Sequence, residues 1–299
     1  MLYIVFLFFI SMAGEAAIYH HDDRQSLVDH SNPAFRQKAE SIGAIVKHSS
    51  LTHVNSVSKP HWKLHLEKYS SYQRSIEEPL CETERFRNEN VVKGTAATGF
   101  LVGPQLMVTA GHVIEDQAEC DERSVVFGFD TSDKSHFSEQ EVYRCQRVIV
   151  SVNEGQRDYA VFELDRPVSQ RKPLVVGDVD WEKPDKVWMM GHPMGLSKKV
   201  TDKGSVLEDV HPFYFTALLD TYVGNSGSPV FSYATGKVLG ILIEGEPTDI
   251  TIRGEWPTGC WYSKVYCQSN MLDKFSCDDT RLTGAKVSRA SLWKPFLSH

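Results

Sequence analysis

Short apolar, β-branched runs separated by turn residues are the dominant pattern along this chain. The pattern starts at about Ile42, and Gly, Pro and Asp recur between the runs. Clear examples lie at residues 99–102, 106–109, 125–129, 159–162, 186–190, 213–216 and 238–243. Many short strands with frequent turns are typical of an all-β sandwich or barrel. The pattern therefore predicts an all-β protein.

Two segments depart from this pattern and are weakly helical. Residues 33–41 have helical spacing, with Asn32 suited to cap the helix and Pro33 suited to its first position. Residues 288–297 favour a short late helix, which Pro295 would end. Both helices are predicted to lie outside the main β region.

A polar link at 165–172 divides the β region into halves of comparable size. The predicted organisation is an N-terminal segment at 17–41, a first β unit at 42–168 and a second at 169–287. A C-terminal helix at 288–299 follows. We find no internal repeat or low-complexity tract.

The first residues have the features of an export signal. Residues 2–10 form an unbroken apolar run of nine, and Gly14 and Ala16 have the small-x-small spacing of a cleavage site. A bilayer-spanning helix needs about 20 apolar residues, so the run is too short to anchor the protein. We predict a signal peptide at 1–16, a mature chain starting near Ala17 or Ile18, and a secreted or periplasmic protein. No Lys or Arg precedes the run, and a buried strand is the alternative.

Composition narrows the possible partners. Apolar residues make up 41% of the 299 positions and charged residues 24%, which is ordinary for a globular protein. The formal charge is −7, and the longest basic clusters are the pairs at 171–172 and 198–199. Nucleic acids and anionic membranes bind to a basic face, so the sequence predicts neither as a partner.

Six cysteines are expected to form disulfides in an exported chain. They are Cys81, Cys120, Cys145, Cys260, Cys267 and Cys277. None belongs to a C-x-x-C pair, so zinc-knuckle spacing is absent. An even count predicts up to three disulfides and leaves 15 connectivities open.

Three segments carry candidate chemistry. A strand-like run at 106–109 leads through Ala110 and Gly111 to His112, and Asp158 opens the apolar run at 159–162. Ser226 lies in the glycine-rich sequence at 224–230, just before another apolar run. Each segment also fits a bland structural role, respectively as a surface histidine, a turn acid and a tight turn.

Together these residues meet the requirements of nucleophilic catalysis. A serine hydroxyl becomes a good nucleophile when a base such as His112 accepts its proton. A carboxylate, here Asp158, then fixes the histidine tautomer and stabilises the imidazolium. The amides of Gly224 and Ser226 are expected to hold the oxyanion, an effect of roughly 2.7–4 kcal/mol per donor.

The same motifs resemble those of the trypsin-like serine peptidases. Thr-Ala-Gly-His at 109–112, Asp-Tyr-Ala at 158–160 and Gly-Asn-Ser-Gly-Ser-Pro at 224–229 are similar to the family's three catalytic blocks, in the same order. Gly-His-Pro-Met-Gly at 191–195 is similar to a segment of the bacterial branch that includes the glutamyl endopeptidases. Residues 18–19 and 22–24 look like the start of the mature chains in that branch.

This resemblance implies a fold and an activity over roughly residues 18–290. The fold would be two six-stranded antiparallel Greek-key barrels with the active site between them. The activity would be hydrolysis of protein or peptide substrates through an acyl-enzyme, with no cofactor and no metal. Thr98 and Val113 replace the disulfide-bonded cysteines of the digestive enzymes, and Asn225 replaces the aspartate that pairs with their new N-terminus.

The resemblance also suggests a specificity pocket. Asp220 occupies the position six before the serine, which is the pocket floor in trypsin-like enzymes, and Thr221 follows it. Leu242 stands where the glutamyl branch has a substrate-binding histidine, and Gly245 is expected to leave the entrance open. A carboxylate at the floor would attract a cationic side chain, so Arg or Lys is expected before the scissile bond. The alternative is that Asp220 only caps a turn.

Two other functional classes compete with this interpretation. A catalytically silent binding protein with the same fold is one, although such proteins usually lose a catalytic residue and all three are present. A zinc peptidase is the other, because His61 and His65 have the i, i+4 spacing of a helical metal site. Trp62 stands where the general base would be. Residues 20–23 (His-His-Asp-Asp) are a further metal candidate.

Overall fold

The structure is a computed structural model. It describes residues 18–19, 21–55, 59–71, 79–94, 96–179, 186–208, 211–245, 250–253, 259–263, 265–266 and 284–297. The predicted signal peptide, His20, Cys267 and Cys277 lie outside the described residues. Among the described residues, no helix is long and apolar enough to cross a bilayer.

Short strands account for most of the described chain. In the first half they are β1 (Ile18–Tyr19), β2 (Gln25–Ser26), β3 (Ile42–Lys47), β4 (Leu51–Val54), β5 (His61–Leu64), β6 (Leu66–Lys68), β7 (Asn90–Val92), β8 (Ala96–Leu101), β9 (Leu106–Thr109), β10 (Arg123–Phe127), β11 (His136–Ser138), β12 (Val142–Glu154) and β13 (Arg157–Leu164). In the second half they are β14 (Lys186–Gly191), β15 (Lys199–Glu208), β16 (Tyr214–Leu218), β17 (Pro229–Ser232), β18 (Val238–Glu244), β19 (Ile250–Arg253), β20 (Cys260–Ser263), β21 (Val265–Tyr266) and β22 (Ala285–Arg289).

Six antiparallel strands of the first half close into a barrel in the order β10-β12-β13-β9-β8-β3. Their apolar side chains fill its interior, and Phe100, Val108, Val161 and Phe162 are fully buried. Closure leaves no sheet edge unpaired, which a chain rich in short strands would otherwise have to protect. The histidine and aspartate segments follow β9 and open β13, so this barrel places both.

Strands of the second half form another antiparallel barrel, in the order β14-β17-β18-β22-β16-β15. Pairing of β14 with β15 closes it, and β2 joins β15 from outside. Buried Val187, Phe215, Val230 and Val287 form much of its core. The all-β, two-barrel fold predicted from the sequence is confirmed. Its last strand continues to Arg289, two residues beyond the predicted boundary.

Among the described residues the α-helices are short and lie outside the barrels; those at 33–39 and 290–293 were predicted from the sequence, and the one at 117–121 was not. They are α1 (Pro33–Ala39), α2 (Gln117–Asp121) and α3 (Ala290–Trp293). The side chain of Asn32 accepts the Ala34 N–H at 3.0 Å, and this caps α1 as expected. A single 3₁₀ turn, Lys294–Leu297, follows α3.

Two disulfides are present among the described residues. Cys120–Cys145 ties α2 to β12, and Cys81–Cys260 joins segments 179 residues apart. The sequence predicted disulfides but not their partners, because pairing depends on which segments the fold brings together.

Candidate active site

His112 and Asp158 form a hydrogen-bonded pair at the rim of the first barrel. His112 lies in a 3₁₀ turn, Gly111–Val113, directly after β9, and Asp158 is the second residue of β13. The Asp158 carboxylate accepts the His112 main-chain N–H at 3.1 Å and the ring Nδ1–H at 2.6 Å. Because Nδ1 carries the proton, Nε2 is left with the lone pair that a general base needs.

Ser226 lies in a turn whose peptide units are each held by the surrounding protein. The Met194 N–H donates to the Val223 carbonyl at 2.5 Å, and the Ser228 N–H donates to the Asn225 carbonyl at 2.8 Å. In a trans peptide unit the N–H points opposite to the carbonyl. The first bond fixes the Val223–Gly224 peptide unit, so the Gly224 N–H points away from Met194. The second fixes the Asn225–Ser226 unit, so the Ser226 N–H points away from the Ser228 N–H.

These two amides are the ones that the sequence predicted as oxyanion donors. Among the described residues, neither donates to a protein acceptor, whereas the amides of Asn225, Gly227 and Ser228 all do. Gly224 also faces the cleft described below. The turn thus presents two preorganised donors in the way an oxyanion hole requires.

Only glycine fits at position 224. Its φ is +96°, and a Cβ there would lie 2.5 Å from the His192 carbonyl oxygen and 2.9 Å from the Met194 nitrogen. The turn therefore packs directly on the Gly-His-Pro-Met-Gly segment at 191–195. From the sequence this segment was only a family resemblance; in the structure it packs against the serine turn at Gly224.

His192 in this supporting segment is a neutral structural residue. It is fully buried, its Nδ1–H donates to the Leu196 carbonyl at 3.0 Å, and its ring stacks on Phe129. Burial lowers the pKa of His192 to about 3, and the nearby Lys198 ammonium acts in the same direction. The ring therefore stays uncharged beneath the turn at any pH near neutrality.

Thr98 connects the two barrels at the serine turn. Its N–H donates to the Ser226 carbonyl at 2.9 Å, and its hydroxyl donates to the Gly224 carbonyl at 2.9 Å. The same hydroxyl accepts the His192 N–H at 3.0 Å, and the side chain is fully buried. From the sequence, Thr98 was distinguished only as the replacement of a cysteine. The contacts show that it joins β8, which pairs with the strand leading to His112, to the turn that carries Ser226.

A cleft of about 720 Å³ between the barrels brings the predicted residues together. His112 and Asp158 line its first-barrel side, and Gly224 and Ser226 line its second-barrel side. The side chain of His112 is 35% exposed and that of Asp158 is 15% exposed. A substrate thus has access to the imidazole, while the carboxylate behind it is largely shielded from water.

The predicted specificity residues lie elsewhere. Asp220, Thr221 and Leu242 are buried, with exposures of 3%, 1% and 3%, and none of them lines the cleft. Gly245 is also buried and away from the cleft lining. The Asp220 carboxylate accepts the N–H groups of Tyr19 and Asp23 at 2.8 and 3.0 Å. Both of its oxygens are therefore engaged by the main chain.

Two charged residues that the sequence analysis did not select do line the cleft. Glu244 at the end of β18 and Lys286 on β22 are paired in register, and their side chains form an ion pair at 2.6 Å. They are 34% and 29% exposed. Because they are 42 positions apart in the chain, only the strand pairing reveals that they meet in the cleft that Ser226 also lines.

The helical metal site considered for His61 and His65 is wrong, because its first residues are extended. His61–Leu64 is strand β5, in which positions four apart are separated by about 13 Å. His65 lies 2.8 Å from the Thr52 hydroxyl, and His61 lies 3.3 Å from the Lys59 carbonyl oxygen. Among the described residues, no group of three or more potential ligands is arranged to hold a metal.

Comparison with known proteins supports the same family. Residues 97–241 match the family model of the trypsin-like peptidase domain. A search of curated protein sequences gave no match. Among solved structures, the chain is similar to a Glu endopeptidase, at 15% identity, over 94% of this chain and 97% of that one, with a TM-score of 0.52.

The Rv3671c protease of M. tuberculosis, in its active form, is also similar. It matches at 15% identity over 89% of this chain and 83% of that one, with a TM-score of 0.46. The domain match, together with the two barrels, confirms the resemblance that the three motifs indicated.

Proposed function

We propose that this protein is a serine endopeptidase that acts through an acyl-enzyme. It has the fold and the peptidase domain of the trypsin-like serine proteases. The observation that carries this is the His112–Asp158 pair, bonded at 2.6 Å and facing Ser226 across one cleft. Protein and peptide chains are the proposed substrates.

Each residue has a defined role in the proposed reaction. The Ser226 hydroxyl oxygen attacks the scissile carbonyl carbon while His112 Nε2 takes the hydroxyl proton. Asp158 stabilises the imidazolium through the Nδ1–H bond. The amides of Gly224 and Ser226 bind the oxyanion of the tetrahedral intermediate. His112 then protonates the leaving amine, and water hydrolyses the acyl-enzyme by the same steps.

Ser226→Ala tests the nucleophile, and the chain offers Ser228→Ala as a matched control two residues away. Ser228 is fully buried in the same turn. A fluorophosphonate should label wild type and Ser228→Ala on a peptide containing Ser226, and should not label Ser226→Ala. Peptide hydrolysis should follow the same order. Turnover retained by Ser226→Ala would refute the mechanism.

Preference for Arg or Lys before the scissile bond remains part of the proposal, but its support shifts to Glu244. Glu244 lines the same cleft as Ser226 from the second barrel, whereas Asp220 is buried and both of its oxygens are engaged. A substrate guanidinium would have to displace the Lys286 ammonium from Glu244, and charged bidentate bonds favour that exchange.

Matched chromogenic substrates with Arg, Lys, Glu or Phe at this position test the preference. Glu244→Gln should reduce Arg and Lys cleavage selectively, and Lys286→Gln should preserve or raise it. If wild type prefers Glu, and Lys286→Gln abolishes that preference, the ammonium and not the carboxylate determines specificity.

Export is the remaining part of the proposal. The apolar leader and the two disulfides support it, because disulfides persist mainly in oxidising compartments. Intact-mass analysis of protein recovered outside the cytoplasm should give a chain beginning near Ala17 with no alkylatable thiol. An uncleaved Met1 or several free thiols would contradict it.

A further inference from the structure

The N-terminal segment is joined closely to the loop that precedes the candidate nucleophile. Here it is called the clamp segment and comprises residues 18–19 and 21–24. The Asp220 carboxylate accepts the Tyr19 N–H at 2.8 Å and the Asp23 N–H at 3.0 Å. Asp220 is 201 positions from Tyr19 and 197 from Asp23 and only 3% exposed, so the bond from Tyr19 is buried and the bond from Asp23 is partly buried. Charged acceptors make the stronger class of protein hydrogen bonds.

A second contact lies one residue beyond Asp23 in the clamp segment and two residues beyond Asp220 in the loop. The Arg24 guanidinium lies over the Tyr222 ring at 4.1 Å from its centroid, and the arginine is 1% exposed. Asp22 holds that guanidinium through two bonds, to Nε at 2.8 Å and to the terminal nitrogen at 2.6 Å. The clamp segment therefore contacts the loop at Asp220 and again at Tyr222.

The same loop leads directly to the proposed oxyanion donors. The Tyr222 carbonyl accepts the Asn225 N–H at 2.9 Å, which closes the turn around Gly224. At the other end, the Thr201 hydroxyl donates to the Asp220 carbonyl at 2.9 Å. Any shift of Asp220 or Tyr222 is therefore passed to Gly224 through a short, hydrogen-bonded chain. Displacements of about 1 Å in such a site reduce rates by up to about a hundredfold.

Flanking contacts hold the clamp segment itself in place. Strand β1 pairs in parallel with β21, and β2 pairs with β15. Glu84, next to Arg24, accepts both the N–H and the hydroxyl of Ser263. The segment is thus part of the second barrel's surface and not a loose extension.

We propose that the clamp segment is a positioning element of the catalytic turn, and that Asp220 anchors it and does not bind substrate. The proposal rests on the serine peptidase function and extends it, since the role given to Asp220 is to maintain the geometry of the catalytic turn. It replaces the pocket-floor role inferred from sequence position.

Asp220→Asn separates the two roles. An amide accepts one of the two N–H groups but presents its own NH₂ to the other, so the anchor is lost while the shape is kept. If Asp220 is an anchor, kcat should fall by about tenfold or more, equally for Arg, Phe and Glu substrates, with KM changed little. If Asp220 binds substrate, only Arg and Lys cleavage should fall, mainly through KM. That second result would overturn the proposal.

Asp202→Asn is the matched control for charge. Asp202 lies on β15 near Asp23, yet among the described contacts it accepts no hydrogen bond from the clamp segment. This variant removes one negative charge from the same region and should leave kcat unchanged. If kcat fell as much as in Asp220→Asn, the loss of a negative charge would explain both results, and the anchoring role would be contradicted.

Arg24→Lys tests the clamp from its own side, without altering Asp220. It keeps the charge but loses the two-point pairing with Asp22 and the planar guanidinium over Tyr222, and it should show the same substrate-independent fall in kcat. Amide hydrogen exchange of residues 19, 23 and 220–226 gives a readout that does not depend on activity. Faster exchange there in both variants is expected, and unchanged exchange would overturn the clamp. An inactive wild type would instead refute the peptidase function and leave the exchange test in force.

Discussion

Thr98→Val probes whether the two barrels position the serine turn through one hydroxyl. Valine has nearly the same shape as threonine, so the change removes the hydroxyl and little else. The Gly224 carbonyl then loses its donor, and the His192 N–H loses its acceptor. Both groups are buried in protein that cannot supply water as a substitute, because Thr98 and His192 have no exposed surface.

The size of the effect follows from these two lost bonds. A buried polar group left without a partner costs roughly 1–3 kcal/mol, so the free energy of unfolding should fall by about 2–6 kcal/mol. The Gly224 peptide would also lose one restraint, although Met194 still holds the preceding unit. Complete loss of an oxyanion donor costs about 10²–10³ in kcat, so misalignment should cost less, roughly 10–100-fold.

Thr98→Ser is the matched control, because it keeps the hydroxyl and loses one methyl group. It should unfold within about 1–2 kcal/mol of wild type and retain most of its kcat. Urea denaturation gives the stability, and peptide hydrolysis well below the unfolding transition gives kcat. The reasoning would be refuted if Thr98→Val kept wild-type kcat and stability, or if Thr98→Ser were equally damaged.

Three further predictions concern protonation and cross-linking. Activity should fall as pH drops through roughly 7 to 6, because His112 must be neutral to accept the Ser226 proton, and full activity at about pH 4 would require another base. Burial and the adjacent Asp220 carboxylate raise the pKa of Asp23 from 3.8 to about 8. The folded state therefore retains a proton that the unfolded state releases, and stability should decline as pH rises from about 4 to 8. Asp23→Asn should flatten that decline and gain on the order of 1–3 kcal/mol over wild type at pH 8 relative to pH 5, measured by urea denaturation; parallel pH profiles would contradict this. The double variant Cys120→Ser, Cys145→Ser opens a loop whose ends are 25 positions apart. It should lose roughly 3 kcal/mol of unfolding free energy while keeping its kcat at low temperature, and an unchanged urea midpoint would contradict the estimate.

The fold class and the reactive residues were readable because they depend on local signals. Short apolar runs and turn residues are short-range features, and they predicted the strands. Local helical spacing likewise predicted helices at 33–41 and 288–297, where the structure has α1 at 33–39 and α3 at 290–293. The glycine-rich serine turn was likewise recognisable, because position 224 needs a positive φ that glycine adopts without strain. His112 and Asp158 could be named from their motifs, and the structure brings them into one hydrogen-bonded pair.

The contacts of Asp220 could not be predicted from its position. Its place six residues before the serine suggested a pocket-floor role and gave no information about what the carboxylate contacts. The Asp220 carboxylate accepts two main-chain N–H groups of the N-terminal segment, those of Tyr19 and Asp23. Such long-range contacts leave no local pattern in the sequence, because they depend on how β1 and β2 dock on the second barrel.

The sequence by itself determined the strand pattern, the division into two halves and the identity of the triad candidates, since each is encoded within a few neighbouring residues. Tertiary structure alone decided the disulfide partners, the contacts of Thr98 with the serine turn, the Glu244–Lys286 pair in the cleft and the main-chain N–H groups that Asp220 accepts. Those features join residues 25 to 201 positions apart. Their partners are fixed by barrel closure and packing, which no single segment specifies.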